Sequence, residues 1–379
     1  MASQQLTALL NASATSTALG IASRTGLLSV LSGTPATAAS LAAAASLDPR
    51  YVEEILAVLV CGEIVRLDAL CDNVKAYALE AEQRAALDSM GLYFEELPLL
   101  AQCAFDPVCD AVRTGRGVAP SNYAAFASWM AKLSREKHER QLVETFLPSL
   151  DGGAIAAQLR AGGRVADLGC GYGVAARLIA QAFPNAEVWG IDIDEASIAA
   201  ARAHPDVVAG LLPNLHFACC DASTMARGAD GAAADGEARL EVASCDVVLS
   251  FDAVHDLPHP AGAMASARAL LKRVPAGAAG ADGFVPVFAM VDIRAQSCVS
   301  DNVAHPMAPF LYAVSLLHCL PQGLNDKPPG CGEPGCRGEG LGMMWGREKA
   351  LAMLVTVGFA SVEVVDMPFD SFNSCYLCK

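Results

Sequence analysis

Val165-Ala-Asp167-Leu-Gly169-Cys-Gly171-Tyr-Gly173 is the stretch whose reading decides the fold. An apolar approach ends in the acid Asp167, three glycines alternate, and a helical pattern runs from Val174 to Ala182. A buried strand that turns sharply into a helix needs glycine where the backbone takes positive φ or must lie against a ligand. Nineteen residues past Gly173, Glu187-Val-Trp-Gly-Ile-Asp192 closes a second strand on a second acid. Ligands of open α/β sheets sit at that carboxyl edge, and an acid there suits ribose hydroxyls. A nucleoside-bearing cofactor is the first expectation.

Spacing narrows the choice. A dinucleotide fingerprint reads G-x-G-x-x-G and admits a pyrophosphate to a helix N-terminus. Here the order is D-x-G-x-G-x-G, with Val174 where the third dinucleotide glycine would fall. Asp167 would repel a phosphate at this turn and suits a ligand with a cationic end. The strand-ending acids continue in Leu215-His-Phe-Ala-Cys-Cys-Asp221-Ala222, then in Cys245-Asp-Val-Val-Leu-Ser-Phe251-Asp252. Taken singly, each acid reads as a solvated loop residue or helix cap. Taken in order, they resemble the cofactor-binding series of the class I S-adenosylmethionine (SAM) methyltransferases, whose cofactor carries a sulfonium and no phosphate. The resemblance implies that Asp167, Gly169, Gly171 and Gly173 hold the methionine end and Asp192 the ribose. It further implies that Asp221 and Ala222 border the adenine and that Phe251 underlies the methionine part.

Composition sets wider bounds. The chain has 379 residues, 53% apolar and 18% charged, enough for two domains and a large core. No uninterrupted apolar run reaches 18 residues, so no transmembrane helix is expected. A net charge of −15 argues against nucleic acid or an anionic membrane as main partner. Fourteen cysteines without a signal peptide read as reduced thiols in a cytoplasmic setting. The first acid is Asp48, and the Ser/Thr/Ala-rich start has the bias of an organellar transit peptide. Leu6, Leu9, Leu10, Leu19, Leu27, Leu28 and Leu31 stand at helical spacings, which favours two domain helices instead.

Residues 36–47 form a helix-compatible run, and Asp48-Pro49 supplies an N-cap and a first-turn proline for the next helix. That helix carries Val52, Ile55, Leu56, Leu59 and Val60 on one face, and Glu63 to Leu70 with Val74 to Leu79 reads as a hairpin. Helix, turn, helix and hairpin make a winged-helix pattern. Residues 1–120 hold seven Lys/Arg against thirteen Asp/Glu, a net of −6, and the second helix presents Glu53 and Glu54 beside Arg50. A major-groove reader needs Arg, Lys, Asn or Gln there, so dimerisation and substrate cover are expected rather than DNA binding. In residues 121–150, Tyr123, Phe126, Trp129, Met130 and Leu133 follow helical spacing, which reads as core. The alternative is an aromatic face for the sulfonium.

With the modules in order, residues from about 6 to 376 resemble winged-helix class I methyltransferases akin to small-molecule O-methyltransferases. The particular pieces are Ser250-Phe-Asp-Ala-Val-His-Asp256, Asp301-Asn-Val-Ala-His-Pro-Met-Ala-Pro-Phe-Leu-Tyr312, Ser315-Leu-Leu-His-Cys319 and Gly340-Leu-Gly-Met-Met-Trp-Gly346. The expected fold is α/β: a Rossmann-like sheet with an N-terminal, mostly helical winged-helix domain. Its expected divisions are a winged-helix domain at 1–120, connecting helices at 121–150 and the SAM-binding domain at 151–379. A homodimer follows from the resemblance alone. Gly-Ala-Asp-rich stretches at 227–239 and 274–283 depart from the family and read as loops. Cys331, Cys336, Cys375 and Cys378 raise a four-thiolate zinc site, but C-x4-C is loose spacing. Cys375 and Cys378 would also face opposite sides of a strand, so spare thiols and no metal are expected.

Methyl transfer from a sulfonium is an in-line displacement in which alignment alone supplies about 7–11 kcal/mol. A phenolic acceptor also gains from a general base, and histidine titrates closest to working pH. His255 lies four residues past Phe251, with Asp256 or Asp252 to orient it; the alternative is a structural histidine capping the next helix. His305 and His318, with Phe310, Tyr312 and Trp345, belong to the segments expected to cover the acceptor, and their apolar lining suits a small aromatic or hydrophobic molecule. Two function classes remain: a SAM-dependent methyltransferase acting on a small molecule, most readily at oxygen, and a non-catalytic SAM-binding regulator using its winged helix for a partner.

Overall fold

The computed structural model describes residues 2–69, 74–225, 240–274, 283–325 and 337–379. The chain divides into two compact units, Met1–Cys103 and Ala104–Lys379, the division falling inside the helix Tyr93–Thr114.

In the first unit, helices Ala2–Arg24 and Leu27–Val30 lead to Ala38–Ala45, Pro49–Cys61 and a hairpin of β1 (Arg66–Ala69) and β2 (Lys75–Ala78). The boundaries follow from local chemistry. The Thr37 side chain accepts from the Ser40 amide, and Asp48 accepts from the Arg50 and Tyr51 amides ahead of Pro49. Val52, Leu56 and Leu59 then meet Leu19, Leu27 and Leu31 in the unit's core. The first helix runs as expected through Leu6, Leu9 and Leu10, which lie 61–72% exposed, because only its second half turns its apolar residues inward.

The second unit carries, among the described residues, a seven-stranded sheet. In chain order its strands are β3 (Arg164–Leu168), β4 (Glu187–Asp192), β5 (Leu215–Cys219), β6 (Val247–Phe251), β7 (Val287–Ile293), β8 (Val362–Val365) and β9 (Asn373–Cys378). Their order across the sheet is β5-β4-β3-β6-β7-β9-β8. The first five are parallel; β9 runs antiparallel to both β7 and β8. The strands are apolar almost throughout, as a sheet covered on both faces requires. Helices Val174–Ala182 and Glu195–Arg202 pack on one face, Pro260–Leu270 and Arg347–Thr356 on the other. Strand order reverses at β3, so the β3–β4 and β3–β6 edges form the crevice in which such sheets bind ligands.

Tyr123, Phe126 and Trp129 are core, at most 7% exposed. Cys375 belongs to the cluster on one face of the sheet and Cys378 to the other, so they cannot share an ion. Cys331 and Cys336 lie outside the described residues, as do 227–239 and 275–282 of the two Gly-Ala-Asp-rich stretches.

Candidate active site

All the strand-ending acids gather at one edge. Asp167 is the penultimate residue of β3, Asp192 the last of β4, and Asp221 follows β5. Gly169, Gly171 and Gly173 take φ of 77°, 51° and 68°, the left-handed region that glycine alone adopts without strain. The loop is pinned to β4: the Gly169 and Cys170 amides donate to the Ile191 carbonyl at 2.8 and 3.0 Å, and the Gly171 amide donates to Asp192 Oδ2 at 2.8 Å. A Cβ on Gly173 would stand 2.5 Å from the Phe217 ring and one on Gly169 would stand 2.5 Å from Ala253 Cβ. A Cβ on Gly171 would meet nothing within 4 Å. Two glycines therefore serve close packing, and the middle one borders open space.

Asp167 is 2% exposed; burial, then the neighbouring Asp192, raise its carboxyl to about 7. Burial also raises Asp192, against which the Gly171 and Asp194 amides pull the other way. A shift of that size on Asp167 corresponds to about 4 kcal/mol held against its charged form. A cation beside it recovers that energy, whereas a phosphate would add to the repulsion. The pair thus fits a sulfonium or ammonium group and ribose hydroxyls. Asp221 Oδ1 accepts from the Ser223 amide at 2.8 Å, and Ala222 is buried. Phe251, at the end of β6, packs against His138 and Phe146 with centroids 4.8 and 5.6 Å away.

Across the β6–β7 edge lies a second constellation. His255 is 2% exposed in a short 3-10 turn after β6, and its Nδ1 lies 2.8 Å from Asp292 Oδ1 on β7. The same Asp292 oxygen accepts from the Ile293 amide at 2.8 Å and from Trp345 Nε1 at 3.1 Å. Burial alone would lower the His255 imidazole; the Asp292 and Asp256 carboxylates outweigh it and hold the group well above its ordinary range. This corrects the sequence reading of the orienting acid. Asp256 faces the other ring nitrogen, its Oδ1 3.4 Å from Nε2. Asp252, at φ 50°, is tied elsewhere, its Oδ2 held by Lys137 Nζ at 3.2 Å and Asn373 Nδ2 at 3.1 Å. Trp345 is 4% exposed, and its Nε1 props Asp292.

The remaining expected residues separate into two groups. His318 lies among the rings of Tyr123 and Phe126, at 5.0 and 4.7 Å, with Nδ1 3.7 Å from Asp256 Oδ2 and 3.8 Å from Cys319 Sγ. Phe310 and Tyr312 pack with Ile293, Leu311 and Met344, and the Tyr312 hydroxyl accepts from Asn302 Nδ2 at 3.1 Å. His305 is absorbed locally, its Nδ1 accepting from the Met307 amide. Asp292 escaped the sequence reading although Val287-Phe-Ala-Met-Val-Asp292 is one more apolar strand ending in an acid. Lys137, which also bridges to Asp370 at 2.8 Å, carried no such signal.

Residues 166–274 match a family model described as a methyltransferase domain, and residues 13–88 match an Rv2258c-like winged HTH domain. A 58-residue stretch is 48% identical to trans-aconitate 2-methyltransferase of Methylobacterium radiotolerans; it covers 15% of this chain, which spans about a fifth of that relative's length. Human N-acetylserotonin methyltransferase, solved with SAM, superposes with a TM-score of 0.60 at 15% identity, covering 100% of this chain and 97% of that one. An O-methyltransferase family protein from Burkholderia thailandensis gives 0.61 at 15% identity over 100% and 98%. At these identities the likeness is one of fold.

Proposed function

Taking the chain as a winged-helix class I methyltransferase dependent on SAM, we propose that it methylates a small aromatic or hydrophobic acceptor, most readily at oxygen. The observation that carries the reading is the pairing of two arrangements on one sheet edge: the acid-flanked glycine loop and the buried His255–Asp292 dyad. When bound, SAM supplies an electrophilic methyl on a sulfonium. Asp167 and the loop backbone hold its cationic end, Asp192 takes the ribose hydroxyls, and Asp221 and Ala222 border the adenine. Phe251 forms the apolar floor beneath the methionine portion.

Once the imidazolium that Asp292 and Asp256 favour has given up its Nε2 proton, His255 Nε2 accepts the acceptor's proton, and Asp292 orients the ring through Nδ1 and stabilises the imidazolium that results. Trp345 and the Ile293 amide fix Asp292 in turn, which limits reorganisation during transfer. Phe310, Tyr312 and His318 shape the acceptor side. The divisions at 1–120, 121–150 and 151–379, a homodimer, a cytoplasmic setting and no nucleic-acid partner complete the proposal; net charge supports the last. A non-catalytic regulator would have no use for an oriented buried histidine.

Labelled SAM offered with a panel of phenols and hydroxylated aromatics tests the reading. Label transfer to at least one acceptor, lost in His255→Ala with SAM binding retained, is the expected result. Transfer unchanged in His255→Ala would remove the base assignment.

A further inference from the structure

The reactive edge of His255 does not face apolar surface alone. His255, Asp256 and Cys319 each bring one ligand atom to within 4.8 Å of the others, and His318 Nδ1 stands 3.7 Å from Asp256 Oδ2 and 3.8 Å from Cys319 Sγ. One imidazole, a carboxylate and a thiol thus converge between the turn after β6 and the helix Cys319–Leu324, and a second imidazole, His318, borders the carboxylate and the thiol. Asp256 Oδ1 is buried there with no hydrogen-bond partner.

We propose that His255, Asp256 and Cys319, with His318 at their edge, form a binding site for zinc, or a similar borderline divalent transition metal, whose occupation takes the Nε2 position and shuts the methyl-transfer centre. The shut-off rests on His255 being the base; the metal site itself does not. With zinc–nitrogen, –oxygen and –sulfur bonds of about 2.0–2.3 Å in a tetrahedron, neighbouring ligand atoms sit about 3.3–3.7 Å apart. His255 Nε2 and Asp256 Oδ1 already stand 3.4 Å apart, and the three ligand atoms, all within 4.8 Å of one another, need to close by about 1 Å at most. One imidazolium deprotonated to the neutral ring, one carboxylate and one thiolate neutralise a divalent ion, and nitrogen with sulfur selects against magnesium and calcium.

The surroundings are those of a metal-bound histidine. Its second nitrogen is held by a carboxylate, Asp292, which is held by Trp345; such outer partners orient the ring toward a metal. Binding replaces the S–H bond of Cys319 and the Nε2–H bond of the His255 imidazolium with bonds to the metal and releases both protons to water, with no change of oxidation state. Asp256 and His318, 26% and 16% exposed at their side chains, form the edge by which an ion enters.

Cobalt(II) titrated into chelator-stripped protein tests the site without cofactor or acceptor. The expected result is one equivalent of a thiolate-to-cobalt charge-transfer band with tetrahedral d–d bands. Zinc should displace the cobalt, Cys319→Ser should abolish the thiolate band, and Asp256→Asn should weaken affinity at least about tenfold. Unaltered SAM binding by Cys319→Ser serves as the folding check. In the turnover assay zinc should suppress the wild type reversibly, while Cys319→Ser should turn over at the wild-type rate and resist zinc. A missing thiolate band, or one unchanged in Cys319→Ser, overturns the site. A normal band with zinc-insensitive turnover overturns the shut-off. The cobalt spectrum is indifferent to whether any acceptor is methylated, so failure here and failure of the enzymatic reading are told apart.

Discussion

Near pH 7 the Asp167 carboxyl stands between its two protonation states, because burial and Asp192 raise it to about 7. The folded chain holds a proton that the unfolded chain loses near the ordinary value of 3.8. This group's contribution to stability is therefore complete below pH 4 and lost as pH rises through 7. A cation in the site pulls the carboxyl back down, so SAM should bind with proton release and about tenfold more tightly at pH 8 than at pH 6. Calorimetry at both pH values, in buffers of different ionisation heat, checks this; pH-independent binding without proton exchange would contradict it. At the dyad, Asp292→Asn should lower kcat about 100-fold while leaving the KM for SAM unchanged, a split that general destabilisation does not produce. Asp167 and Asp192 were legible in the sequence because strand-end acids sit at a fixed place relative to the glycines. The His255 partner was not, since Asp292 comes from a neighbouring strand 37 residues away and only β6–β7 pairing brings the two together.

The glycine loop separates packing from binding at the scale of an element. Gly173→Ala places a Cβ against the Phe217 ring at positive φ and should cost about 1–3 kcal/mol, read as a lowered Tm. Gly171→Ala carries the strain of its φ but meets open space, so it should lower Tm less while weakening SAM binding more. Equal losses of both properties in the two variants would mean that the loop is only a turn. The sequence reading placed the helix after this loop at Val174–Ala182, where it is found, because glycine ends it on one side and the apolar pattern runs out on the other. The helix carrying Leu6, Leu9 and Leu10 was also legible, but not which half of it is buried. Helical spacing marks an apolar face without naming what covers it.

For the whole molecule, parallel strands, strand-end acids and the capped helices before the hairpin were enough to expect a Rossmann-like sheet preceded by a helical module with a hairpin. Acceptor identity was not legible, because its lining is assembled from separate segments that share no motif. The proposed homodimer gives the exposed leucines of the first helix a role. Sedimentation should return twice the 39.3 kDa chain mass, and a Leu9→Glu, Leu10→Glu double variant should return a monomer. A monomeric wild type would end the proposal. The central claim is that the edge of β3 and β4 holds SAM, and calorimetric titration of the purified protein tests it most directly. The account predicts 1:1 micromolar binding of SAM, no heat from NADH, and loss of SAM binding in a folded Asp192→Ala variant. A folded wild-type protein that takes up no SAM, or an Asp192→Ala variant that binds it as tightly as wild type, would contradict the account.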